Sequence, residues 1–304
     1  MQANFAKTSS EKNTSEKGKK LMEMRLDFFT QYDGFPFFIQ FGGHQGGMYF
    51  HTHVDFTELV IVLDGQAVNV VDEEQFPVEK GDVFVMGKGS THGYLEARDF
   101  KICNIMFDFD AILNASYDVK ELEGFHALFL IDPLTSDRFI SRLKLTPEKF
   151  KELKKPVMAA LEEYKGDSPA KRSMLFAYFM QIIVMLSRLY GTSPAQKETA
   201  GIAAAAAYME RHFTENITVK KLLEISHYSQ RHFIRLFSEC YKTTPHKYLQ
   251  NIRMKHACLL LEQTNKSITE ISSACGFNDS NFFTRTFRNQ MTMTPSEYRR
   301  YKTS

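Results

Sequence analysis

Four side chains have the types and spacing to hold a metal ion. His51 and His53 stand two apart, Glu58 follows, and His92 lies further along the chain. Strand residues separated by one point to the same side, so the first two imidazoles would share a face. Glu58 begins the adjacent strand-like run, and His92 could close the set from across a sheet. Three imidazoles and a carboxylate suit zinc, iron, manganese or nickel. The same four could instead line a ligand pocket or hydrogen-bond within it, with no metal at all. Tyr49, Phe56 and Tyr94 are candidate pocket walls, although aromatic residues in strands are most often core. The ligand-binding candidates are therefore His51, His53, Glu58, His92, Tyr49 and Tyr94. No cofactor is required; a divalent metal is one occupant of the set.

A second chemistry lies near the C-terminus. The stretch from Ser229 to Phe237 maps onto Asp279 to Phe287 when shifted by fifty positions. Phe233 then meets Phe283, Arg235 meets Arg285, Phe237 meets Phe287, Thr244-Pro245 meets Thr294-Pro295, and Tyr248 meets Tyr298. Each copy keeps an arginine away from its aromatic side, which is the pattern of one reading head used twice.

The elements that must position these groups follow from periodicity. Residues 28–109 read as short β runs with glycine turns, clearest at 48–53, 57–63, 66–71, 83–86 and 100–107, which predicts a small sandwich or barrel. Asp64-Gly65 reads as a hairpin turn, and Lys80-Gly81-Asp82 as another reversal. After Asp132-Pro133 the period becomes helical. Thr146-Pro147-Glu148 starts one amphipathic helix, and a second runs from about Ala170 to Tyr190. That second helix has two apolar sides, which suits packing on the sheet domain plus a second subunit, or core packing alone. Its apolar run, 174–186, is interrupted by Gln181 and too short to span a bilayer. Gly191-Thr-Ser-Pro194 marks a domain boundary. From Gly201 every signal is helical: Ser267 to Glu270 is a capping box, and Gly276 supplies a left-handed residue for a helix-turn-helix bend.

Composition adds an asymmetry. The chain has 304 residues, 43% of them hydrophobic, and a net charge of +2. From Gly201 to Ser304 there are 15 Lys and Arg against 8 Asp and Glu, so the rest carries 38 − 15 = 23 against 36 − 8 = 28. A basic half beside an acidic half points to a polyanionic partner for one domain only. Four cysteines without C-x-x-C spacing read as reduced thiols. Residues 1–20 read as a flexible polar tail.

The C-terminal residues resemble the AraC/XylS family of bacterial transcription regulators. The match rests on Ile268, Ile271, Gly276-Phe277, Phe283, Arg285, Phe287, Pro295 and Tyr298-Arg299 at the family's spacing. The segment around His51, His53, Glu58 and Gly65, then Gly81, Gly87, Gly89 and His92, resembles the two cupin motifs. It departs at Gly87, where a proline is usual, and at Glu96, where an asparagine is. The family's glycine before Thr-Pro is Lys242 in one unit and Thr292 in the other. Together with the helix after Ala170, the arrangement is similar to the sugar-responsive, rhamnose-regulator branch. The resemblance implies an α+β chain of two domains: an N-terminal cupin-like β-barrel with linker helices and a C-terminal all-α double helix-turn-helix. Its parts would be a tail (1–20), a sensing domain (21–135), linker and dimerisation helices (136–192), and a DNA-binding domain (193–304).

It also implies which residues read bases. Arg231, Ile234 and Arg235, then Ser280, Asn281, Thr284 and Arg285, take the base-reading positions. Arginine reads guanine bidentately, Asn281 suits adenine, and Ile234 suits a thymine methyl. Ser229, His232, Lys242, Asn278 and Arg288 would position phosphates. Two such helices about 34 Å apart would enter successive major-groove segments. The expected partners are double-stranded DNA, a small-molecule effector (a carbohydrate), a second copy in a homodimer and, for an activator, RNA polymerase, with no membrane. The expected place is the bacterial cytoplasm, at the nucleoid. Two other readings compete: a metal-binding cupin enzyme carrying a DNA-binding appendage, and a β domain serving chiefly to dimerise.

Overall fold

The computed structural model describes residues 22–30, 35–72, 74–135, 138–190 and 197–303. The N-terminal tail and the Gly191–Pro194 boundary lie outside the described residues, as does the side chain of Tyr49. The first half is one bent sheet of β1 (Met22–Met24), β2 (Phe37–His53), β3 (Thr57–Val71), β4 (Glu74–Glu79), β5 (Asp82–Met86), β6 (Thr91–Phe107) and, later in the chain, β9 (Arg142–Lys144). A two-residue pair, β7 (Leu134–Thr135) and β8 (Arg138–Phe139), stands apart. The order is β1-β2-β6-β3-β5-β9, with β4 on the far half of β3. Alternation divides β3 cleanly. Val60 and Val62 pack inside the roll with Phe84, Tyr94, Phe100 and Ile102, while Leu59 and Ile61 face outward onto the helices with Cys103, Ile105 and Phe107.

The Asp64-Gly65 hairpin expected from sequence is not one. β3 runs straight through it, and the pairing with β6 slips there between Val62 and Val68. Gly65 has φ +71, and a Cβ on it would lie 2.3 Å from the Asp99 carbonyl oxygen. The positive φ therefore serves a bulge that bends the long strand, not a reversal. The second expected reversal is present: Asp82 accepts from the Glu79 amide at 2.7 Å across the β4–β5 turn, with Gly81 at φ +87.

Two short helical turns, α1 (Phe109–Ile112) and α2 (Glu123–Phe125), lead to α3 (Pro147–Lys165) and α4 (Lys171–Tyr190). Thr146 caps α3 by accepting from the Lys149 amide at 3.3 Å. α4 is long and apolar enough to cross a membrane by composition alone. Its Leu175, Phe179, Ile182, Ile183 and Leu186 nevertheless sit in the main core, where Phe179 meets Phe37 and Phe107 edge-on. Burial of that stripe against the sheet is what a core helix of a globular domain requires.

The last third is helical throughout: α5 (Lys197–Arg211), α6 (Val219–Ser226), α7 (Gln230–Tyr241), α8 (Pro245–Gln263), α9 (Ile268–Ala274), α10 (Ser280–Met291) and α11 (Pro295–Thr303). The predicted caps are made. Thr244 accepts from the Lys247 amide, and Ser267 and Glu270 form a reciprocal capping box. Lys242 and Thr292 end α7 and α10 at φ +53 and +61, so both positions keep the left-handed turn without glycine.

One buried cluster joins the sheet domain to the first helix-turn-helix unit. Phe233, Leu236 and Phe237 of the first unit belong to the same buried cluster as the sheet's outer face, whereas Phe283, Phe287, Ile271 and Tyr298 form a cluster of their own. Polar contacts reinforce the first junction. The Asp132 amide donates to the Cys240 carbonyl at 2.8 Å, and the Asp132 carboxylate lies 2.9 Å from Lys242 Nζ. Lys255 pairs with Asp110 at 2.7 Å and Arg211 with Glu121 at 3.1 Å. Each exposed pair contributes about 0–1 kcal/mol, so apolar burial does most of the docking.

The junction also sets a pH dependence. Burial raises Glu210 to about 7, against the lowering pull of Lys120 and Lys255, and holds His126 and His256 at about 4. The unfolded histidines take protons near 6.5 and the folded ones do not, so stability falls as pH drops from 6.5 to 4. Glu210 acts oppositely, because the folded state keeps its proton from 4.5 up to about 7 and loses stability as pH rises through that window. Urea midpoints of the full chain should rise from pH 4 towards neutrality, because the buried histidines together outweigh Glu210. In Glu210→Gln the rise between pH 4.5 and 7 should be steeper; an unchanged slope would mean that Glu210 does not hold its proton on folding.

Candidate functional site

The end of β2 carries His51 and His53, the start of β3 carries Glu58, and the start of β6 carries His92. His51 is the register partner of His92 in the β2–β6 ladder, a pairing reached only after three irregularities between His44 and His51. Glu58 enters from β3, opposite Met86 on one side and Met106 on the other. The four converge. His92 Nε2 lies 3.1 Å from His51 Nε2 and 3.2 Å from Glu58 Oε2, and His53 Nε2 lies 3.6 Å from the same carboxylate oxygen.

Donors bound tetrahedrally at about 2.1 Å from one ion stand roughly 3.4 Å apart, which is the scale of these separations. One ligand atom from each residue falls within 4.8 Å of the others. All four side chains are at most 2% exposed. Burial lowers His53 to about 3, despite the raising effect of Glu58, and His92 to about 4. Neutral imidazoles with free lone pairs are the form a metal requires. By donor chemistry and geometry the group could hold a divalent cation.

The walls are partly those expected. Phe56 stacks on His53 with centroids 4.4 Å apart, and Tyr94 meets His92 edge-on at 5.6 Å. Three further polar residues escaped the sequence reading. His44 stacks on Tyr94 at 6.0 Å, and Asn69 and Asn104 are buried. Asn69 lies between Ala67 and Val71 on the inward face of β3, where alternation calls for an apolar residue; that mismatch was the available signal. Among the described residues, both Asn69 amide atoms, Tyr94 Oη and Asn104 Oδ1 have no hydrogen-bond partner. Burying such groups unpaired costs about 1–3 kcal/mol each.

On the helical side, α7 buries Phe233, Leu236, Phe237 and Cys240 and exposes Ser229, Arg231, Ile234, Arg235 and Lys242, with His232 half-buried. α10 buries Phe283 and Phe287 and exposes Asn281, Arg285 and Arg288, with Asn278 just ahead of it. Ser280 and Thr284 are half-buried, and the Thr284 hydroxyl donates to the Ser280 carbonyl at 2.9 Å. Several candidates already have partners. Arg235 donates to Glu239 at 3.2 Å and to His232 at 3.3 Å, and Lys242 is paired with Asp132. At the α10 N-terminus the Asp279 carboxylate accepts from the Asn281 amide at 2.8 Å, so an anion already occupies the place next to Asn278. Ser229 makes no such side-chain cap on α7.

Residues 222–301 match the helix-turn-helix domain family, and residues 37–105 match the cupin domain family. The first match holds both repeat units and the second holds all four ligand-type residues. Two curated relatives, both from Enterobacter sp. (strain 638), extend the likeness across most of the chain. The transcriptional activator RhaR is 28% identical over 259 residues, covering 82% of this chain and 86% of that protein. The transcriptional activator RhaS is 27% identical over 252 residues, covering 81% and 86%. The chain is a DNA-binding transcription regulator with a helix-turn-helix domain and a cupin domain. A solved AraC-type regulator from Chromobacterium violaceum is 33% identical across 34% of this chain and 94% of that one, with a TM-score of 0.33. The cupin-plus-enzyme reading gives way, since the named relatives across most of the chain are transcription activators. A regulator of this type works in the cytoplasm, where its DNA is.

Proposed function

We propose that this regulator activates transcription when a carbohydrate-class small molecule binds inside the rolled sheet, acting as a homodimer that engages RNA polymerase on nucleoid DNA. The observation that carries it is the inward-facing set of unpaired polar groups, Asn69, Asn104 and Tyr94 Oη, beside His44 and the His51, His53, Glu58, His92 cluster. A polyhydroxylated guest offers the donors and acceptors those groups lack. The relatives' naming as activators supports the sign of the output. His51, His53, Glu58 and His92 would hold a divalent ion, which would supply a Lewis-acid centre for the guest's hydroxyls. The four side chains would fix the ion's place, leaving a further position for the guest's oxygen.

Coupling to DNA has a physical path. The backbone of His53 accepts from the Gly89 amide at 2.7 Å and donates to the Ser90 carbonyl at 3.1 Å. Gly87, Lys88 and Ser90 of that turn line a cavity of about 830 Å³ between the sheet and the helical domain, together with Tyr241, Lys242 and Tyr248. A guest that binds one arrangement of the turn more tightly than another shifts the docking of α7 by that difference in affinity. On the DNA side, Arg231, Ile234, Arg235, Ser280, Asn281, Thr284 and Arg285 read bases, and Ser229, His232, Lys242, Asn278 and Arg288 contact phosphates.

The test is a thermal-shift series of the full chain with common monosaccharides, followed by elemental analysis. A guest at about a hundred times its Kd stabilises by about 2.7 kcal/mol, a shift of roughly 5 °C or more. One sugar should give this shift, and Asn69→Leu should abolish it. No shift with any sugar would remove the carbohydrate assignment. Metal in one-to-one ratio, with a lower Tm after chelation, supports the ion; metal-free protein that still binds the sugar removes it.

A further inference from the structure

The two reading helices differ at one position that neither the repeat nor the family match singles out. Phe282 follows Asn281 on α10 and is 40% exposed, although most large aromatic side chains of the helical domain are buried or half-buried. The Arg285 guanidinium lies 5.6 Å above its ring, and the ring itself leans on Phe277 at 6.2 Å. We propose that Phe282 is a positioning residue that holds Arg285 for base reading, so that α10 carries more of the sequence discrimination than α7.

The first unit supplies the contrast. Its residue at this place is His232, and its arginine, Arg235, is bound to the Glu239 carboxylate. Fifty positions on from Glu239 stands Asn289, which carries no charge. A carboxylate takes guanidinium N–H donors that must be released before they can reach a base. An aromatic face restrains the guanidinium through its π system and leaves every N–H edge free. Arg285 is thus pre-organised with its fork intact, and less ordering remains to be done on binding. Arg235 enters DNA only by exchanging one anion for another, which weakens its preference for one base over the next.

The proposal rests on Arg285 reading DNA and is tested with full-length protein. Duplexes enriched from a randomised pool by the wild type serve as the specific probe, and a scrambled duplex as the other. Phe282→Leu keeps apolar bulk and removes the π face, whereas Phe282→Tyr keeps the face. The leucine variant should bind the enriched duplex about three- to tenfold more weakly, with scrambled-duplex affinity unchanged. The tyrosine variant should match the wild type. In an Arg285→Ala background, Phe282→Leu should add no further loss. A leucine variant that binds like wild type, or loses as much with Arg285 absent, overturns the proposal while leaving Arg285 as a reader. An Arg285→Ala variant without any loss overturns the base-reading assignment itself.

Discussion

Gly276→Ala should uncouple the second helix-turn-helix unit from the rest of the protein. The residue sits at φ +78, and an added Cβ would fall 2.7 Å from the Phe213 carbonyl oxygen and 2.8 Å from that of Thr214. Neither neighbour is a flexible side-chain tip; both are backbone of the loop after α5. A left-handed alanine costs about 1–2 kcal/mol, and displacing packed backbone adds to it, so a loss of about 3 kcal/mol or more is expected. The second unit has a core separate from that shared by the sheet and the first unit. Unfolding should therefore split into two transitions, with α9 to α11 melting first and specific DNA binding lost with them. A single cooperative transition at the wild-type midpoint would show that the loop yields freely. Lys242 and Thr292 offer the opposite experiment. Both hold left-handed angles with a side chain, so glycine at either should stabilise by up to about 1 kcal/mol.

That contrast bears on what the sequence could disclose. Gly276 was readable as a left-handed residue because a local helix-stop pattern predicts one. The same local logic misjudged Asp64-Gly65, since a positive φ serves a bulge as well as a hairpin, and only the approach of the Arg98 and Asp99 carbonyls distinguishes them. The histidine pair was legible because a spacing of two fixes a shared strand face. Its meeting with His92 was not, because that register depends on slips in a glycine-rich stretch that no periodicity records. His44 lies in that stretch and was lost with it. The exposed faces of α7 and α10 followed directly from aromatic spacing, and the exposed arginines are where that spacing puts them. The partners of those arginines were not foreseeable to the same degree. Glu239 stands one turn after Arg235 in plain view, whereas Asp132 reaches Lys242 from more than a hundred residues away. Local order is written in short patterns; which surfaces meet is settled by burial across the whole chain.

Those partners shape the largest functional effect expected. Replacing Arg235 and Arg285 together by alanine should abolish sequence preference while sparing much of the affinity for any duplex. A bidentate arginine–guanine pair discriminates by about 1–3 kcal/mol, so two of them are worth roughly 2–6 kcal/mol against the wrong sequence. Phosphate contacts supply the remaining, salt-dependent affinity, and the surplus of basic residues beyond Gly201 persists without these two. The specific Kd should thus rise at least thirtyfold, by a rough count, and converge on the scrambled-duplex value, with nearly the same salt slope. The single variants should not share the loss equally. Arg285→Ala gives up an arginine held by an aromatic ring, while Arg235→Ala gives up one that first had to leave Glu239. Glu239→Gln should accordingly strengthen binding to enriched and scrambled duplexes alike, since it frees a cation without aiming it. Equal losses from the two single variants, measured by anisotropy on the same duplex, would mean that the Glu239 pair dissolves in solution at no cost and that the two helices read as equals.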